Sequence, residues 1–403
     1  MTAPHVLVPA LASPLRLPSG AVLANRIAKA SLSERLAEPN GDPGERMLRL
    51  WDRWAASGAG LLLTGNVMVQ RGRLAERGNV VVDGDTGGDA LAAWARRAKA
   101  GGSAVWMQIN HPGRQTPRTV DPAPVAPSAV PMTIGGGVFA TPRALDDREI
   151  WAIVAAFGVA AARARDAGFD GVQIHAAHGY LASQFLSPRT NLRDDAWGGD
   201  ATRRRRFLLE VLRAVRAAVG TSFPVGVKLN SADFQLGGFD SGEALDVVRR
   251  VVDEGVDLVE VSGGTYEAPA MWAGSTGRRE AYFLDFAERV RAVASVPLLL
   301  TGGFRTAAGM EAALASGAVD VVGLGRPFCI DPVFPAGVLA GRVAEVPRVS
   351  LETGWRALDA MVQGGWYQAQ LHRMGSGEPP DPELSRLRAA WTYLSAGGAS
   401  RGR

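Results

Sequence analysis

The chain has 403 residues, of which 47% are hydrophobic and 21% charged, a composition that excludes a disordered chain and allows a large buried core. Its formal net charge is +4, but the basic residues are spread along the sequence, so the charge is weak evidence for nucleic-acid binding. The single cysteine, Cys329, excludes an intramolecular disulfide, a cysteine-based zinc site and a four-cysteine iron–sulfur cluster.

Three further patterns predict a cytoplasmic protein without nucleic-acid or membrane partners. The first 20 residues lack a basic segment followed by a continuous apolar one. No apolar run reaches the roughly 18 residues that a membrane span requires. The only dense basic run, 203–206, falls where a helix is expected to begin, and we interpret it as a solvated helix face.

Short apolar runs alternate along the chain with longer amphipathic segments, which predicts parallel strands joined by helices. A hairpin that turns at Ser19 and Gly20 comes first. Strands are then predicted at 26–32, 61–67, 104–110, 171–175, 225–230, 257–262, 297–302 and 320–325. The helices between them are predicted at 44–57, 85–100, 146–167, 201–219, 241–254, 282–294 and 306–316.

Eight strand–helix units are the number that a (β/α)8 TIM barrel requires, with a doubly wound open sheet as the alternative. Asp146 and Glu149 have the spacing of a capping box at the start of a helix. Gly168, Gly255 and Gly317 each end a helix just before a strand. This repetition of one loop type favours the barrel.

We assign residues 1–345 to the barrel, with its N-terminal β-hairpin, and residues 346–403 to a C-terminal helical extension that packs on it and ends in a loosely ordered tail. In that extension Trp355, Trp366 and Tyr367 are interpreted as packing residues or as a contact in a homo-oligomer. Irregular segments at 116–143 and 266–279 follow the third and sixth strands, and we expect them to form lids over the active face.

Polar residues recur at the carboxyl ends of the predicted strands. Glycine turns follow strands seven and eight, the second of them followed by an arginine. Backbone N–H groups in such turns, together with a guanidinium group, bind phosphate. The sequence therefore predicts a ligand that carries a phosphate, held by Gly302, Gly303, Gly325 and Arg326.

Lys228 lies in an apolar run that should be buried, so its ammonium group requires a partner. One interpretation is a structural ion pair with an inward-facing acid. A second is a cation that faces electron-rich ligand atoms, such as the N1/C2 oxygen edge of a flavin. A Schiff-base lysine is the third.

His175, His178 and Tyr180 form the pattern H-x-x-H-x-Y at the end of the fourth strand. A metal site is one alternative, but a third ligand with suitable spacing is not evident. Histidines whose hydrogen bonds are satisfied within a loop are another. The third is catalytic, because neutral imidazoles can donate to a carbonyl or anionic oxygen and a phenol can protonate carbon, as reduction of an activated double bond requires.

The segment 171–199, which contains SQFLSPRTNLRDDAWGG, resembles the Old Yellow Enzyme family of FMN-dependent (β/α)8 ene-reductases. LANRI after the hairpin, Gln108 before HPGRQ, and GLGRPF at the eighth strand extend the resemblance through Pro327. It implies FMN as cofactor and NADPH or NADH as reductant. It also implies ping-pong reduction of α,β-unsaturated carbonyl or nitro compounds.

The resemblance further implies a role for each matched residue. His175 and His178 would bind the electron-withdrawing oxygen of the substrate, and Tyr180 would protonate its α-carbon. Arg35 stands where some relatives have a substrate contact. The expected cofactor-binding residues are Ala30, Ser31, Leu32, Ser33, Asn66, Gln108, Lys228, Gly302, Gly303, Gly325 and Arg326.

Three positions depart from the family pattern. Ser33 replaces the usual Cys or Thr, Lys228 replaces an Arg, and Arg35 replaces an aromatic residue, so neither the flavin potential nor the substrate preference follows from the resemblance. Two other functions are compatible with the sequence. One is an FMN enzyme with a specialised oxidation, isomerisation or demethylation role. The other is a flavin-free barrel, either a lyase that acts on a phosphate substrate or a binding protein.

Overall fold

A computed structural model describes residues 9–134, 136–268, 280–349, 351 and 356–397. A short antiparallel hairpin comes first and is followed by a set of parallel strands. The strands are β1 (Leu15–Arg16), β2 (Val22–Leu23), β3 (Ile27–Lys29), β4 (Leu61–Leu63), β5 (Val67–Met68), β6 (Ala104–Asn110), β7 (Val125–Ala126), β8 (Arg143–Ala144), β9 (Gly171–Ala176), β10 (Val225–Asn230), β11 (Leu258–Ser262), β12 (Leu298–Thr301) and β13 (Val321–Leu324).

Helices lie between groups of strands along the chain. They are α1 (Pro9–Ala12), α2 (Glu45–Ala55), α3 (Gly88–Ala98), α4 (Asp147–Asp166), α5 (Leu181–Leu186), α6 (Ala201–Arg204), α7 (Arg206–Val219), α8 (Ser241–Asp253), α9 (Leu284–Arg291), α10 (Ala307–Ala315), α11 (Pro327–Ile330), α12 (Phe334–Leu339), α13 (Arg356–Gly375) and α14 (Arg386–Gly397). None of these helices is long and apolar enough to cross a membrane.

The parallel strands close into a barrel. Around it they run in the order β3, β4, β6, β9, β10, β11, β12 and β13, and β13 pairs with β3 again. Each is followed by at least one helix before the next barrel strand. The fold is therefore a (β/α)8 TIM barrel with an N-terminal hairpin and a C-terminal helical extension, as predicted, and the open-sheet alternative is wrong.

Local signals in the sequence positioned most elements within a few residues. The capping box of Asp146 and Glu149 is formed at the start of α4, and Gly168, Gly255 and Gly317 have positive φ angles of 90°, 80° and 71°. Two predicted elements are split. The strand expected at 61–67 becomes β4 and β5, and the helix expected at 201–219 breaks at Arg205 into α6 and α7.

The interpretation of residues 203–206 as a solvated face is wrong for one of the four arginines. Arg204 is buried, donates to the carbonyl oxygens of Leu186 and Gly199 at 2.9 and 2.7 Å, and pairs with Glu243. The Arg206 guanidinium lies 4.4 Å from the ring centroid of Trp197. Arg204 therefore turns towards the chain that precedes α6, where carbonyl oxygens accept its hydrogen bonds. The Arg206 side chain lies over an aromatic face but stays 37% exposed.

The floor of the barrel is apolar and closed. Alternate residues of the strands point inward, and those near the amino ends form one cluster with the hairpin: Leu15, Leu17, Leu23, Ala28, Leu61, Leu63, Trp106, Leu258, Leu299 and Val321. Glycine is required beside the Trp106 indole, since a Cβ on Gly171 would lie 2.7 Å from it. Any polar chemistry is therefore confined to the opposite, carboxyl-terminal end.

The C-terminal helices pack on the barrel and on each other. Helix α13 lies against α2 and α14, and Gln368 Nε2 donates to the Glu34 carbonyl at 2.8 Å. Trp366 is fully buried, which confirms a packing role, whereas Trp355 lies outside the described residues. Of the two predicted lids, residues 116–134 and 136–143 are irregular except for β7 and the start of β8, and residues 269–279 lie outside the described residues.

Candidate active site

His175, His178 and Tyr180 come together at the carboxyl end of β9. The ring centroids of His175 and His178 are 5.1 Å apart, and those of His175 and Tyr180 are 4.8 Å apart. A tight turn produces this grouping, because His178 has a φ of 60° and Gly179 a φ of 80° before α5 begins. The three side chains face one another at the mouth of the barrel, as the sequence predicts.

His175 presents a hydrogen-bond donor. The backbone N–H of Ala177 donates to its Nδ1 at 3.2 Å, so the proton of the neutral ring resides on Nε2. Burial, and secondarily the charge of Lys228, lowers the pKa of His175 well below its ordinary value of 6.5. His175 is therefore a neutral imidazole with an Nε2–H group across the physiological pH range.

His178 is fixed by two neighbouring strands. Its Nε2 lies 2.7 Å from Ser262 Oγ at the end of β11, and its backbone N–H donates to Asn230 Oδ1 at the end of β10. Desolvation lowers the pKa of His178 as well, with smaller contributions from Lys228 and His175. Both histidines are therefore uncharged and held at defined angles.

Tyr180 keeps its proton. It is 3% exposed, and burial, assisted by the charge of Glu76, raises the pKa of its phenol well above the usual 10. Asn66 Nδ2 donates to its hydroxyl at 2.9 Å, and the Tyr266 hydroxyl lies 2.8 Å away. The contact with Asn66 places that residue beside the predicted proton donor; its predicted contact with a cofactor stays a prediction.

A chain of side-chain amides crosses the barrel one layer below the histidines. Ser31 Oγ donates to Gln108 Oε1 at 2.8 Å, Gln108 Nε2 donates to Gln173 Oε1 at 2.6 Å, and Gln173 Nε2 donates to Glu260 Oε2 at 2.9 Å. Each link pairs one N–H or O–H group with an acceptor, each amide keeps a second N–H group, and the chain ends on a buried carboxylate. This order fixes the rotamers of Gln108 and Gln173.

Lys228 is ion-paired. Its Nζ lies 2.8 Å from Glu260 Oε1, and the side chains are 5% and 0% exposed. Thr301 Oγ1 donates to the same oxygen at 2.8 Å. Of the three interpretations that the sequence left open, the ion pair with an inward-facing acid is present.

The end of the first barrel strand is brought beside the eighth. The Ala30 N–H donates to the Leu324 carbonyl at 2.9 Å, and Leu32 lies next to Gly325. Farther along, Ser33 Oγ donates to Glu76 Oε2 at 2.7 Å, and Arg35 Nε lies 3.9 Å from the same oxygen. Ser33 and Arg35 therefore both lie against Glu76, the carboxylate whose charge also raises the pKa of Tyr180.

The predicted phosphate-binding turns lie at the ends of β12 and β13. Gly303 has a φ of 84°, and a Cβ added to Gly302 would approach the Phe283 ring to 3.3 Å. Arg326 hydrogen-bonds the phenol of Tyr367 from α13, whose pKa is raised to about 12 by burial. The C-terminal extension therefore contacts an arginine of the predicted anion site.

The chain matches a known family model over residues 10–345, described as the NADH:flavin oxidoreductase / NADH oxidase family. The chain belongs to this family. The Old Yellow Enzyme resemblance is confirmed by structure too, since the old yellow enzyme homologue from Zymomonas mobilis superposes with a TM-score of 0.72 at 27% identity, covering 85% of this chain and 95% of that one.

Fungal members of the flavin oxidoreductase family are also similar. The NADH-dependent flavin oxidoreductase iccE of Talaromyces variabilis is 39% identical over 356 residues, covering 82% of this chain and 86% of its own. The iliE protein of Neonectria sp. is 35% identical over 408 residues, covering 89% of this chain. This chain spans only 53% of the length of iliE.

The sequence alone missed several residues of this candidate site. Gln173, Glu260 and Ser262 carried a usable signal, because each stands two residues from another inward-facing polar or charged group on the same strand. Asn230 carried the same signal, two residues after Lys228. Tyr266 and Glu76 lie in loops, where no periodicity indicates the direction of a side chain.

Proposed function

We propose that the protein is an FMN-dependent oxidoreductase that uses NADH or NADPH to reduce the activated C=C bond of α,β-unsaturated carbonyl or nitro compounds. The proposal rests on two neighbouring groups, an uncharged imidazole N–H that can donate a hydrogen bond and a phenol that keeps its proton. His175 offers Nε2–H, and the protonated phenol of Tyr180 lies with its ring centroid 4.8 Å from that imidazole. Reduction of an enone requires one group of each kind.

The residues at the mouth of the barrel fit FMN in chemistry. Amides of Gln108 and Gln173 provide donors and acceptors for a pyrimidine edge, and the glycine turns with Arg326 suit a phosphate. Asn110, two residues after Gln108 on the same strand face, is fully buried, and its Oδ1 and Nδ2 have no partner among the described residues. Such a side chain requires a polar ligand or water.

FMN, when bound, accepts hydride from a reduced nicotinamide and delivers hydride to the substrate. The side chains supply the rest. His175 and His178 hold and polarise the substrate oxygen, and Tyr180 transfers its proton to the α-carbon. Nicotinamide and substrate would use the same group of side chains in turn, so we expect ping-pong kinetics.

The flavin-free lyase is less compatible with the contacts of Lys228. A Schiff base forms from a neutral amine, whereas the Lys228 ammonium lies 2.8 Å from a fully buried carboxylate. Removing the ammonium proton would leave Glu260 buried without its cation, which is energetically costly. The ion pair therefore favours an electrostatic role for Lys228.

A spectroscopic experiment tests the proposal. The purified protein should show a flavin absorbance band that anaerobic NADH or NADPH bleaches and that cyclohexenone restores. A protein that binds no flavin after reconstitution would overturn the proposal, and a band that bleaches but is not restored by enones or nitroalkenes would overturn the substrate class.

A matched variant tests the proton donor. Tyr180→Phe keeps the ring but removes the acidic proton, so the restoration step should slow by about 10²- to 10⁴-fold. Bleaching by the nicotinamide, which needs no proton from the enzyme, should be unaffected and serves as the control. If Tyr180→Phe restores the band at the wild-type rate, the assignment of Tyr180 is wrong.

A further inference from the structure

The hydroxyl of Tyr180 has two described hydrogen-bond partners, and only one of them can both donate and accept. Asn66 approaches with Nδ2 at 2.9 Å, and an amide nitrogen can only donate. Tyr266 approaches with its hydroxyl at 2.8 Å and can either donate or accept. A phenol oxygen carries one proton and two lone pairs, so the state of Tyr266 decides where the Tyr180 proton points.

When Tyr266 donates, both lone pairs of Tyr180 are occupied. The Tyr180 proton must then point away from Asn66 and Tyr266, and it is free to be donated to a substrate. When Tyr266 accepts, the same proton is directed to Tyr266 and is withheld from a substrate. Only the arrangement in which Tyr266 donates therefore leaves the Tyr180 proton available to a substrate.

Tyr266 is held in position from both sides of its loop. Thr265 forms a bridge with His178, and Glu267 forms an ion pair with Arg114 at 2.5 Å. Both of those charged side chains are 8% exposed, and Glu267 Oε1 also accepts from the Thr133 hydroxyl at 2.7 Å. Residues 265–267 are therefore fixed to the histidine turn and to the HPGRQ loop.

Exposure increases from Tyr180 to Tyr266. Tyr180 is 3% exposed, whereas Tyr266 is only half-buried. A buried phenol that has given up its proton must regain one, and direct contact with water is restricted at Tyr180. Tyr266 is more exposed than Tyr180 and is in hydrogen-bond contact with it, so it is the described partner that can return a proton to Tyr180.

We propose that Tyr266 is a proton-relay residue for the reduction reaction, acting through Tyr180; this inference rests on the proposed function. As the Tyr180 O–H bond breaks and the substrate C–H bond forms, Tyr266 donates to the Tyr180 oxygen. The Tyr266 proton then passes to Tyr180, and Tyr266 takes a proton from water. Both phenols are restored, and the net proton comes from solvent.

The kinetic test compares the two half-reactions of Tyr266→Phe, which keeps the ring and removes only the hydroxyl. Reduction by NADH needs no proton from Tyr180 and should keep its wild-type rate. Restoration of the flavin band by cyclohexenone should slow by roughly tenfold or more, with a changed solvent deuterium isotope effect. Equal slowing of both half-reactions, or an unchanged second half-reaction, would overturn the relay.

A double variant separates relay from packing. Because Tyr266 acts through Tyr180, Tyr180→Phe/Tyr266→Phe should be no slower than Tyr180→Phe alone. Additive losses would show that Tyr266 acts independently of Tyr180 and would overturn the proposal.

A third measurement needs neither flavin nor substrate. The chain has five tyrosines, so ¹⁹F NMR of protein labelled with fluorotyrosine can be assigned with the Tyr180→Phe variant. Tyr266→Phe should shift the Tyr180 resonance in the cofactor-free protein, because it removes a hydrogen bond to that oxygen. An unmoved resonance would overturn the relay even in an active enzyme. A shifted resonance in a protein that binds no flavin would overturn the proposed function, and the relay with it, but would confirm the contact between the phenols.

Discussion

The Lys228 ammonium lies 2.8 Å from Glu260 Oε1 inside the barrel, in register on neighbouring strands. Glu260 also accepts from Gln173 and Thr301, so three donors surround one buried carboxylate. The cation that the family resemblance places at a flavin edge is therefore charge-balanced. A flavin above this layer would meet a neutral pair in place of an isolated positive charge.

Breaking this pair should destabilise the protein. Lys228→Met leaves Glu260 buried and unpaired, and we expect the free energy of unfolding to fall by about 3–5 kcal/mol. Lys228→Met/Glu260→Gln removes both charges and should recover most of that loss. Urea unfolding of the cofactor-free proteins measures both values. A double variant as unstable as the sum of the two single variants would contradict a direct pairing.

The same pair should control the redox potential of a bound flavin. Glu260→Gln leaves Lys228 without a counter-charge, and the extra positive charge favours the electron-rich reduced cofactor. The midpoint potential should therefore shift to more positive values in Glu260→Gln and return towards wild type in Lys228→Met/Glu260→Gln. Spectroelectrochemical titration measures it. An unchanged potential in Glu260→Gln would place Lys228 away from the flavin ring.

Acid should destabilise the protein through its buried histidines. Burial lowers the pKa of His111 to about 3, while the unfolded chain keeps a value near 6.5, so the unfolded state binds more protons below pH 6.5. Stability from this group is full above pH 6.5 and is lost as the pH falls towards 3. His111→Gln should reduce the stability difference between pH 7.5 and pH 5 by about 2 kcal/mol, measured by urea unfolding. An equal pH dependence in variant and wild type would contradict it.

Two adjacent arginines provide a matched test of burial. Arg204→Gln removes the partner of Glu243 and the donors to two carbonyls, and should lower the free energy of unfolding by about 3 kcal/mol. Arg205→Gln, whose described side-chain bond is an exposed one to Thr202, should change it by less than about 0.5 kcal/mol. An equal change in the free energy of unfolding in both variants would contradict the buried role of Arg204.

Several features of this protein follow from the sequence by itself. Alternating strand and helix patterns predicted eight units, and capping signals located both ends of α4. The H-x-x-H-x-Y segment predicted the grouping of His175, His178 and Tyr180. These features are local, because the periodicity of a strand or helix and the geometry of a turn depend on residues a few positions apart.

Only the tertiary structure decided which side chains meet. Asn66 and Tyr180 are 114 residues apart, and Tyr266 lies 86 residues beyond Tyr180, in a loop with no periodic pattern. The pairing of Lys228 with Glu260 and the burial of Arg204 depend on strand register and on which carbonyls lack partners. Barrel closure brings these distant residues together, and the sequence of no single segment encodes such a contact.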